Sequence, residues 1–253
     1  VALGVMALIV VIAVMSGFGK DLRDKILGTN SHVVVSNISR TSMDDYEAII
    51  KKIMRTEGVN AAAPFILSQV MLTYGKNSKG VVVRGVDPER EAGVSDLEKN
   101  LVQGSLNMLV APAKSLGKPS RAGIILGREL AHRLGVQRGD VVSMISPASR
   151  VTPMGLIPKI KLFQVVGFFE SGMFEYDSNL AFISIHAAQK FFSMKKKVSG
   201  IEIQVRETER ADQIAKEIQT RNEILINKKW ILAFVQKKIC DDLCKERYYQ
   251  LRQ

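Results

Sequence analysis

The sequence predicts an α+β protein in which an apolar N-terminal helix precedes a domain of alternating strands and helices. Residues 1–18 contain no charged residue and no proline, and they can form a single helix. After them, short β-branched runs, which indicate strands, alternate with amphipathic runs of helical period. Hydrophobic residues make up 46% of the 253 residues, so the chain can form one large or two modest folded domains.

The N-terminal run VALGVMALIVVIAVMSGF is predicted to be a transmembrane helix. At ~1.5 Å per residue it extends ~27 Å, just under the ~30 Å hydrocarbon core of a bilayer. Two alternatives remain open. A signal segment would need a basic start, which is missing, and a buried core helix would need cover on every face. Because the chain opens on Val1 without a charged flank, we expect a fragment that begins inside the first membrane helix.

The first folded segment is predicted to be a β-α-β unit. Residues 31–38 are rich in β-branched side chains and predict a strand. The apolar stripe of residues 43–55 predicts a helix, for which Ser42 is a plausible N-cap. Residues 59–74 then read as extended segments that are broken at Pro64.

The rest of the chain continues with short strands and helices. In order, the pattern predicts a polar turn (75–80), a strand (81–85), the start of a short helix (87–91), a short apolar run (123–126), a helix ended by Gly135 (127–134), a strand (141–146), an irregular stretch (147–158), β structure (159–169), a loop (170–179), a strand (180–184), a helix (186–192), an alternating strand (198–205) and an amphipathic helix (207–219). The first and last parts resemble halves of one βαβ layer, with the middle inserted between them.

The formal net charge of +11 makes an anionic partner a candidate: nucleic acid, lipid headgroups or an acidic protein. Nucleic acid is the weakest of these, because no basic run alternates with aromatic residues. The only cysteines are Cys240 and Cys244, and two ligands do not make a zinc site. We therefore predict no metal and no cofactor.

The sequence contains no group that would support an enzyme. It has neither a G-x-x-x-x-G-K-[ST] phosphate loop nor an H-E-x-x-H motif. The three histidines lie in different elements, and surface or packed roles are expected for them. The carboxylates of ESGMFEYDS are expected to serve turns and caps rather than acid–base chemistry. These residues are His32, His132, His186, Glu170, Glu175 and Asp177.

The stretch SPASRVTPMGLIPKIK carries the strongest functional signal. It connects two β runs over ~13 residues, which is longer than a hairpin needs, and such loops are often functional. Residues 152–155 fit a type I turn, and the apolar side chains around them should form an exposed tip. Pro153 and Pro158 restrict the loop before it docks, which lowers the entropic cost of binding. A loop folded back on its own domain remains the alternative.

Three segments are specific when they are taken together: residues 1–28 (VALGVMALIVVIAVMSGFGKDLRDKILG), residues 126–140 (LGRELAHRLGVQRGD) and residues 165–182 (VVGFFESGMFEYDSNLAF). Together they resemble the membrane subunits of the lipoprotein-releasing ABC transporter, the LolC/LolE group. The resemblance extends to about Gln219. The loop TPMGLIP is more similar to the hook of LolC-type subunits than to the LolE form.

The resemblance implies an N-terminal transmembrane helix followed by a periplasmic MacB-like domain of two mixed α/β subdomains. The basic residues after the helix would by charge alone keep that end in the cytoplasm, and we follow the family topology instead. Residues 1–28 would be the first membrane helix and its extension. Residues 29–78 with 198–220 would form a porter-like βαβ subdomain, and residues 79–197 an inserted mixed β subdomain that carries the hook. Residues 221–253 match nothing in the family, and we expect a truncated or frame-shifted tail.

The resemblance also implies a transport function at the bacterial inner membrane, with most of the chain in the periplasm. Two permease subunits, the second being LolE-like or another copy of this chain, form a cavity in the membrane lipid that accepts the acyl chains of an outer-membrane lipoprotein. A separate LolD-like cytoplasmic ATPase supplies the energy, which agrees with the missing phosphate loop. The hook holds the periplasmic chaperone LolA, which receives the lipoprotein.

The family's functional residues fall into three groups here. The hook comprises Arg150, Val151, Thr152, Pro153, Met154, Gly155, Leu156, Ile157 and Pro158. Lys159 and Lys161 form a basic pad beside it, where the Gln-Arg pair of the family stands as Ile160-Lys161. The first helix would line the lipoprotein cavity with Val5, Leu8, Ile9, Ile12 and Met15.

A second class of function remains as the alternative. A membrane-anchored periplasmic signalling or efflux-coupling module of the FtsX or MacB type would share the same domain plan. The hook separates the two, since capture of LolA requires the apolar loop. A membrane-anchored hydrolase would require a catalytic group that we do not find in the sequence.

Overall fold

A computed structural model describes residues 4–6, 8–17, 31–37, 42–110, 121–152, 155–223 and 230–233. Residues 4–6 and 8–17 are helical and are called α1. The other helices are α2 (Tyr46–Ile53), α3 (Pro88–Glu91), α4 (Arg128–Leu134), α5 (Phe174–Asn179), α6 (Ile185–Phe192) and α7 (Ala211–Glu223). The strands are β1 (Val33–Asn37), β2 (Val59–Tyr74), β3 (Asn77–Val86), β4 (Leu101–Gln103), β5 (Ala122–Gly127), β6 (Val141–Thr152), β7 (Gly155–Phe169), β8 (Leu180–Ser184), β9 (Gly200–Val205) and β10 (Trp230–Ala233).

Ten strands of the described chain form one sheet, in the order β10-β1-β9-β2-β3-β8-β5-β7-β4, and β6 pairs with β2 and β7. Strand β3 runs parallel to β8, and β5 runs parallel to β7. The long strand β2 pairs with β9 through its first half and with β3 through its second half. Strand β2 therefore connects the early and late parts of the chain to the inserted middle. The boundary between the two predicted subdomains stays a prediction.

The main hydrophobic core lies on the face of the sheet that is covered by helices. It includes Leu130 of α4, Phe191 of α6 and Ile218 of α7, all of which are fully or almost fully buried. Alternation along the strands builds a second, smaller core on the other face, because Ile124 belongs to the first core and its neighbour Ile125 to the second. The second core lies under residues 88–109.

Away from residues 88–109, the second face of the sheet carries several exposed apolar side chains among the described residues. Cross-strand pairs place Met71 beside Ile145, and Ile145 beside Ile160, so these side chains share that face. Met71 is 46% exposed and Ile160 is 59% exposed. We call this surface the open sheet face. Its apolar members are Leu67, Met71, Val82, Ile145, Ile160 and Leu162.

Several predicted elements are confirmed. The predicted strand at residues 180–184 is β8, and the predicted helix at residues 127–134 is α4, which begins one residue later. Gly135 ends α4 in the left-handed conformation, with φ of 72°, which glycine adopts without a steric penalty. The predicted strand at residues 31–38 is β1.

The predicted start of the helix at residue 43 is wrong, because the backbone of Met43 forms an isolated antiparallel bridge with Val198 instead. Its N–H donates to the carbonyl of Val198 over 2.7 Å and its carbonyl accepts from Val198 N–H over 3.1 Å. Helix α2 begins only at Tyr46, and its N-cap is Asp45 rather than Ser42. Tertiary pairing here prevails over local helix propensity.

The predicted break at Pro64 is also wrong, since β2 runs continuously from Val59 to Tyr74. Pro64 pairs with Ile201 of β9, and pairing with β3 begins only at Phe65. The missing proline N–H therefore falls where β2 has one neighbouring strand, which is where a sheet tolerates proline.

The predicted loop at residues 170–179 contains a helix, α5. Buried Asp177 organises its entry, because one carboxylate oxygen accepts from Ser171 N–H over 2.8 Å and from Ser171 Oγ over 2.9 Å. The amide of Asp177 donates to the carbonyl of Met173 over 3.0 Å. Of the turn and capping roles expected for the carboxylates of this segment, Asp177 has the turn role, since the N-cap Met173 has no side-chain cap.

Among the described residues, no helix combines the length and the apolarity that a membrane crossing requires. The described side chains of α1 are exposed on every side of the helix. Their exposed fractions lie between 52% for Val5 and 64% for Val14. Residues 1–3, 7 and 18–30 of the predicted segment lie outside the described residues.

Candidate functional site

Residues 146–152 of β6 and 155–158 of β7 form a two-stranded arm that extends beyond the neighbouring strands of the sheet. Strand β2 pairs with β6 only from Ser143 to Ile145, and β5 pairs with β7 only from Phe163 onward. Within the described structure, the strands of the arm therefore pair only with each other. At roughly 3.3 Å per residue, the six steps from Ser146 to Thr152 carry the arm about 20 Å along the strand direction.

The arm corrects the predicted irregular stretch at residues 147–158. Ser149 pairs with Pro158, Val151 with Leu156 and Thr152 with Gly155, so both sides are β-strands. A register shift between Ser146 and Ser149 accommodates Pro147, which cannot donate a ladder hydrogen bond. The extra length that suggested a loop is thus taken up by a long hairpin with a bulge.

The predicted hook residues lie on both strands of the arm. Arg150 and Ile157 pair directly, next to the pair formed by Val151 and Leu156. Pro153 and Met154, and with them the predicted type I turn, lie outside the described residues. The hook assignment stays a prediction, and what the structure adds is a paired backbone for residues 150–152 and 155–158.

The two pad lysines face the helix-covered side of the sheet. Lys159 Nζ donates to the carbonyl of Lys190 over 3.2 Å and to Ser193 Oγ over 2.9 Å, at the C-terminal end of α6. An ammonium group at this position complements the free carbonyls of a helix end. Lys161 Nζ lies 5.0 Å from the ring centroid of Phe163. Burial, together with the charges of Lys190 and Lys159, lowers the pKa of Lys161.

The side chains predicted to line a lipoprotein cavity all belong to α1. All five are exposed in the described chain, between 52% and 61%. Their role in a cavity stays a prediction. These residues are Val5, Leu8, Ile9, Ile12 and Met15.

A buried charged cluster lies where β3, β9 and α3 meet. Arg84 forms ion pairs with Glu202 and, over 3.1 Å, with Glu91. Ser95 Oγ donates to the same Glu91 oxygen over 2.7 Å. Arg84, Glu91 and Glu202 are each less than 9% exposed. The sequence hint for this cluster was a single charged residue inside each of two apolar strand runs, VVVRGV and GIEIQV.

Two carboxylates and one guanidinium share this site, so full ionisation leaves one excess negative charge. Burial raises the pKa of Glu202, with a further contribution from Glu91, and the attraction of Arg84 offsets this only in part. Burial also opposes the charge of Arg84, but the two carboxylates outweigh it and raise the pKa of Arg84. The cluster holds a proton on Glu202 more readily than an exposed glutamate does. It joins β3 and α3 to β9, which lies far from both in the chain.

The other polar residues noted in the sequence have structural partners. Glu170 accepts from Arg128 over 2.6 Å, and Glu175 accepts from Asn179 over 3.3 Å. His32 Nδ1 accepts from the amide of Val205 over 3.3 Å, and burial lowers the pKa of His32. His132 and His186 are exposed. No group of three potential metal ligands occurs among the described residues.

Curated relatives of known name align with most of this chain. It is 33% identical over 211 residues to the lipoprotein-releasing system transmembrane protein LolC of Neisseria meningitidis serogroup B, covering 83% of this chain and 49% of the relative. LolC of Xylella fastidiosa is 35% identical over 221 residues, covering 87% of this chain and 51% of the relative. LolE of Haemophilus influenzae is 22% identical over 210 residues, which is 81% of this chain and 48% of that protein. The chain thus spans about half the length of the curated relatives it matches, and the resemblance to the LolC/LolE group is confirmed.

Solved structures share the fold at low sequence identity. The extracellular domain of the noncanonic ABC-type transporter YknZ from Gram-positive bacteria aligns with a TM-score of 0.51 at 12% identity, covering 79% of this chain and 98% of that domain. The periplasmic region of MacB from Actinobacillus actinomycetemcomitans aligns with a TM-score of 0.51 at 10% identity, covering 87% of this chain and 94% of that region. The family model of the MacB-like periplasmic core domain matches residues 1–221. Because this model matches most of the chain, the chain belongs to the family of MacB-like periplasmic core domain proteins.

Proposed function

We propose that this chain is part of the membrane subunit of an ABC transporter that extracts outer-membrane lipoproteins from the inner membrane and hands them to the chaperone LolA. The observation that carries the proposal is the 33–35% identity to LolC proteins over more than four fifths of the chain. The lack of a phosphate loop fits a subunit that leaves ATP hydrolysis to a separate LolD-like ATPase. The second permease subunit is LolE-like or another copy of this chain.

In this proposal, α1 belongs to the first transmembrane helix and the sheet domain lies in the periplasm. An exposed helix with apolar side chains on all sides has no cover in the described chain, and lipid or neighbouring membrane helices supply such cover. The residues of α1 that we assign to the lipoprotein cavity then border the space that accepts the acyl chains.

The arm supplies the contact with LolA. A paired hairpin fixes the backbone of residues 150–152 and 155–158 before binding, so little ordering entropy is lost when the apolar residues dock. The pad lysines lie at its base, where Lys159 is held by the end of α6. The family's arginine at the pad has its counterpart in Lys161.

The test is capture of LolA by the full chain in detergent. Replacing both Pro153 and Met154 by Asp places two charges at the centre of the hook, and we expect the captured LolA to fall at least roughly tenfold, because desolvating an unpaired carboxylate is costly. Met54→Asp is the matched control, since Met54 is an exposed methionine at the end of α2, remote in sequence from the arm. Equal capture by the hook variant and the control would remove the hook from the proposal.

A MacB- or FtsX-type signalling or efflux-coupling module is the second candidate. The observation that favours it is the fold shared with YknZ and MacB. Such a module has no need for LolA. Capture of LolA by the unchanged chain, together with ATP-dependent release of a lipoprotein in the presence of the other subunits, distinguishes the two candidates.

A further inference from the structure

The open sheet face contains a groove of about 690 Å³ next to the arm. Its floor is formed by Met71, Val82 and Ile145, while Pro158 at the base of the arm and Asn179 of α5 form its sides. The volume lies within the roughly 300–1,000 Å³ that is typical of small-molecule sites. No heavy atom lies within 4 Å of the place where a Cβ would stand at Gly80, so the groove is open there.

None of the residues that line this groove is charged, although Arg84 pairs with Leu67 further along the same face and the Glu175 carboxylate accepts from Asn179 over 3.3 Å. Cross-strand rows run from Gly80 through Met71 and Ile145 to Ile160, and from Thr73 through Ser143 to Leu162. Lysines 159 and 161 alternate with Ile160 and Leu162 and therefore face the opposite side of the sheet. In a chain with a net charge of +11, an exposed groove across four strands whose lining carries no charge is unusual.

Three polar side chains line the groove: Gln69, Ser146 and Asn179. The side-chain amide of Asn179 donates to the carbonyl of Glu175 over 3.1 Å and to Ser178 Oγ over 3.1 Å. A protein interface needs about one hydrogen bond per 100–200 Å², with charged groups at its rim. A hydrocarbon chain needs neither, and it gains from contact with every apolar side chain of the groove.

We propose that this groove holds an acyl chain of the lipoprotein while the lipoprotein passes from the membrane to the arm. The proposal rests on the transport function proposed above and adds to it a binding site outside the membrane. Its position supports this occupant, because Pro158 both lines the groove and pairs with Ser149 in the arm. An acyl chain in the groove therefore lies directly beside the segment that we assign to the chaperone.

The test is photo-crosslinking of the full chain in vesicles with a synthetic triacylated lipopeptide that carries a diazirine in one acyl chain. We expect adducts on peptides that contain Met71 and Ile160. Met71→Lys should lower their yield roughly tenfold, because an ammonium without a partner keeps its water and excludes the chain. Met54→Lys is the matched control, since Met54 is 45% exposed and Met71 is 46% exposed, and its adduct yield should equal that of the unchanged chain.

Ile160→Lys is the second groove variant, because Ile160 is 59% exposed and its replacement does not disturb the core. Thermal melting of each variant establishes that the fold is kept. Adducts scattered over the chain, or equal yields from Met71→Lys, Ile160→Lys and Met54→Lys, overturn the proposal.

Two further experiments identify the occupant. Phosphatidylethanolamine with the same diazirine-bearing chain is tested at the same concentration, and equal labelling of the groove overturns the lipoprotein as the specific occupant. A photoreactive benzoylphenylalanine at Met71 is tested in the same vesicles with LolA, and crosslinking to LolA or to a second copy of the chain instead of the lipopeptide also overturns the proposal. If the unchanged chain captures LolA and supports ATP-dependent release but shows no groove labelling, this inference alone is contradicted. If the unchanged chain neither captures LolA nor supports release, the proposed function is contradicted.

Discussion

Arg84 shows how a single side chain can connect distant parts of this chain. It is buried on β3 and pairs with Glu91, seven residues away, and with Glu202, which is 118 residues away. Within the described chain, Arg84 Nε and one oxygen of Glu91 have no hydrogen-bond partner. The cluster is therefore held by ion pairs that must outweigh a considerable desolvation cost.

Arg84→Met should destabilise the domain strongly. Removing the guanidinium leaves two buried carboxylates without their counter-charge, and breaking such a pair costs about 3–5 kcal/mol of unfolding free energy. Urea denaturation of the full chain at neutral pH measures this loss. The control is Arg90→Met, because Arg90 pairs with Glu47 at the surface and its loss should cost at most about 1 kcal/mol. Similar losses of unfolding free energy for both variants would show that the buried ion pairs of Arg84 stabilise the domain no more than the surface pair of Arg90.

Glu202→Gln should change how stability depends on pH. The native pKa of Glu202 is raised, so the folded state binds its proton more tightly than the unfolded chain does. The stability that this proton supplies is fully present below the ordinary glutamate pKa and is lost as pH rises through the raised value. The glutamine variant lacks this loss, so its melting temperature should rise relative to that of the unchanged chain between acidic and neutral pH. Parallel melting curves across this range contradict the prediction.

At the scale of elements, β3 and α6 come into unusually close contact at Gly85. A Cβ added there would lie 2.6 Å from Cβ of Ala188 on α6 and 3.3 Å from Cβ of Ile66 on β2. The small residues let the helix pack directly on the strand. This contact holds α6, whose C-terminal end in turn binds Lys159 at the base of the arm.

Gly85→Ala should separate α6 from the sheet and destabilise the domain by about 1–3 kcal/mol, as overpacked cores do. Gly80→Ala in the same strand is the control, because its Cβ would meet nothing within 4 Å. Reducing the freedom of the unfolded chain should make that variant neutral or up to about 1 kcal/mol more stable. Urea titrations of both variants measure the difference, and equal effects contradict the close-contact account.

At the scale of the whole molecule, the periplasmic domain is expected to remain attached to the inner membrane through the segment that includes α1. We predict that carbonate washing leaves the full chain in the vesicle pellet, because we expect the uncharged apolar run of residues 1–18 to partition into lipid as a helix. We also predict that protease added outside spheroplasts digests the sheet domain. Extraction by carbonate would contradict the membrane helix, and protection from the protease would contradict the periplasmic orientation.

The sequence by itself determined most elements and the family. Periodicity located β8 and α4 almost to the residue, since their patterns are local properties of the chain. The apolar start and the three matching segments indicated the LolC/LolE group without any structure. The stretch at residues 146–161 was singled out by its length, prolines and apolar side chains, while its assignment as a hook came from the resemblance and stays a prediction.

Only the tertiary structure decided which residues pair across long separations. Local propensity could not show that Met43 bonds to Val198, that β2 continues through Pro64, or that residues 147–158 contribute to a paired arm. The buried Arg84 cluster and the open sheet face likewise depend on strands that are far apart in sequence. The physical reason is that backbone pairing and burial reward contacts between remote segments, and a pattern read along the chain carries no information on which segments meet.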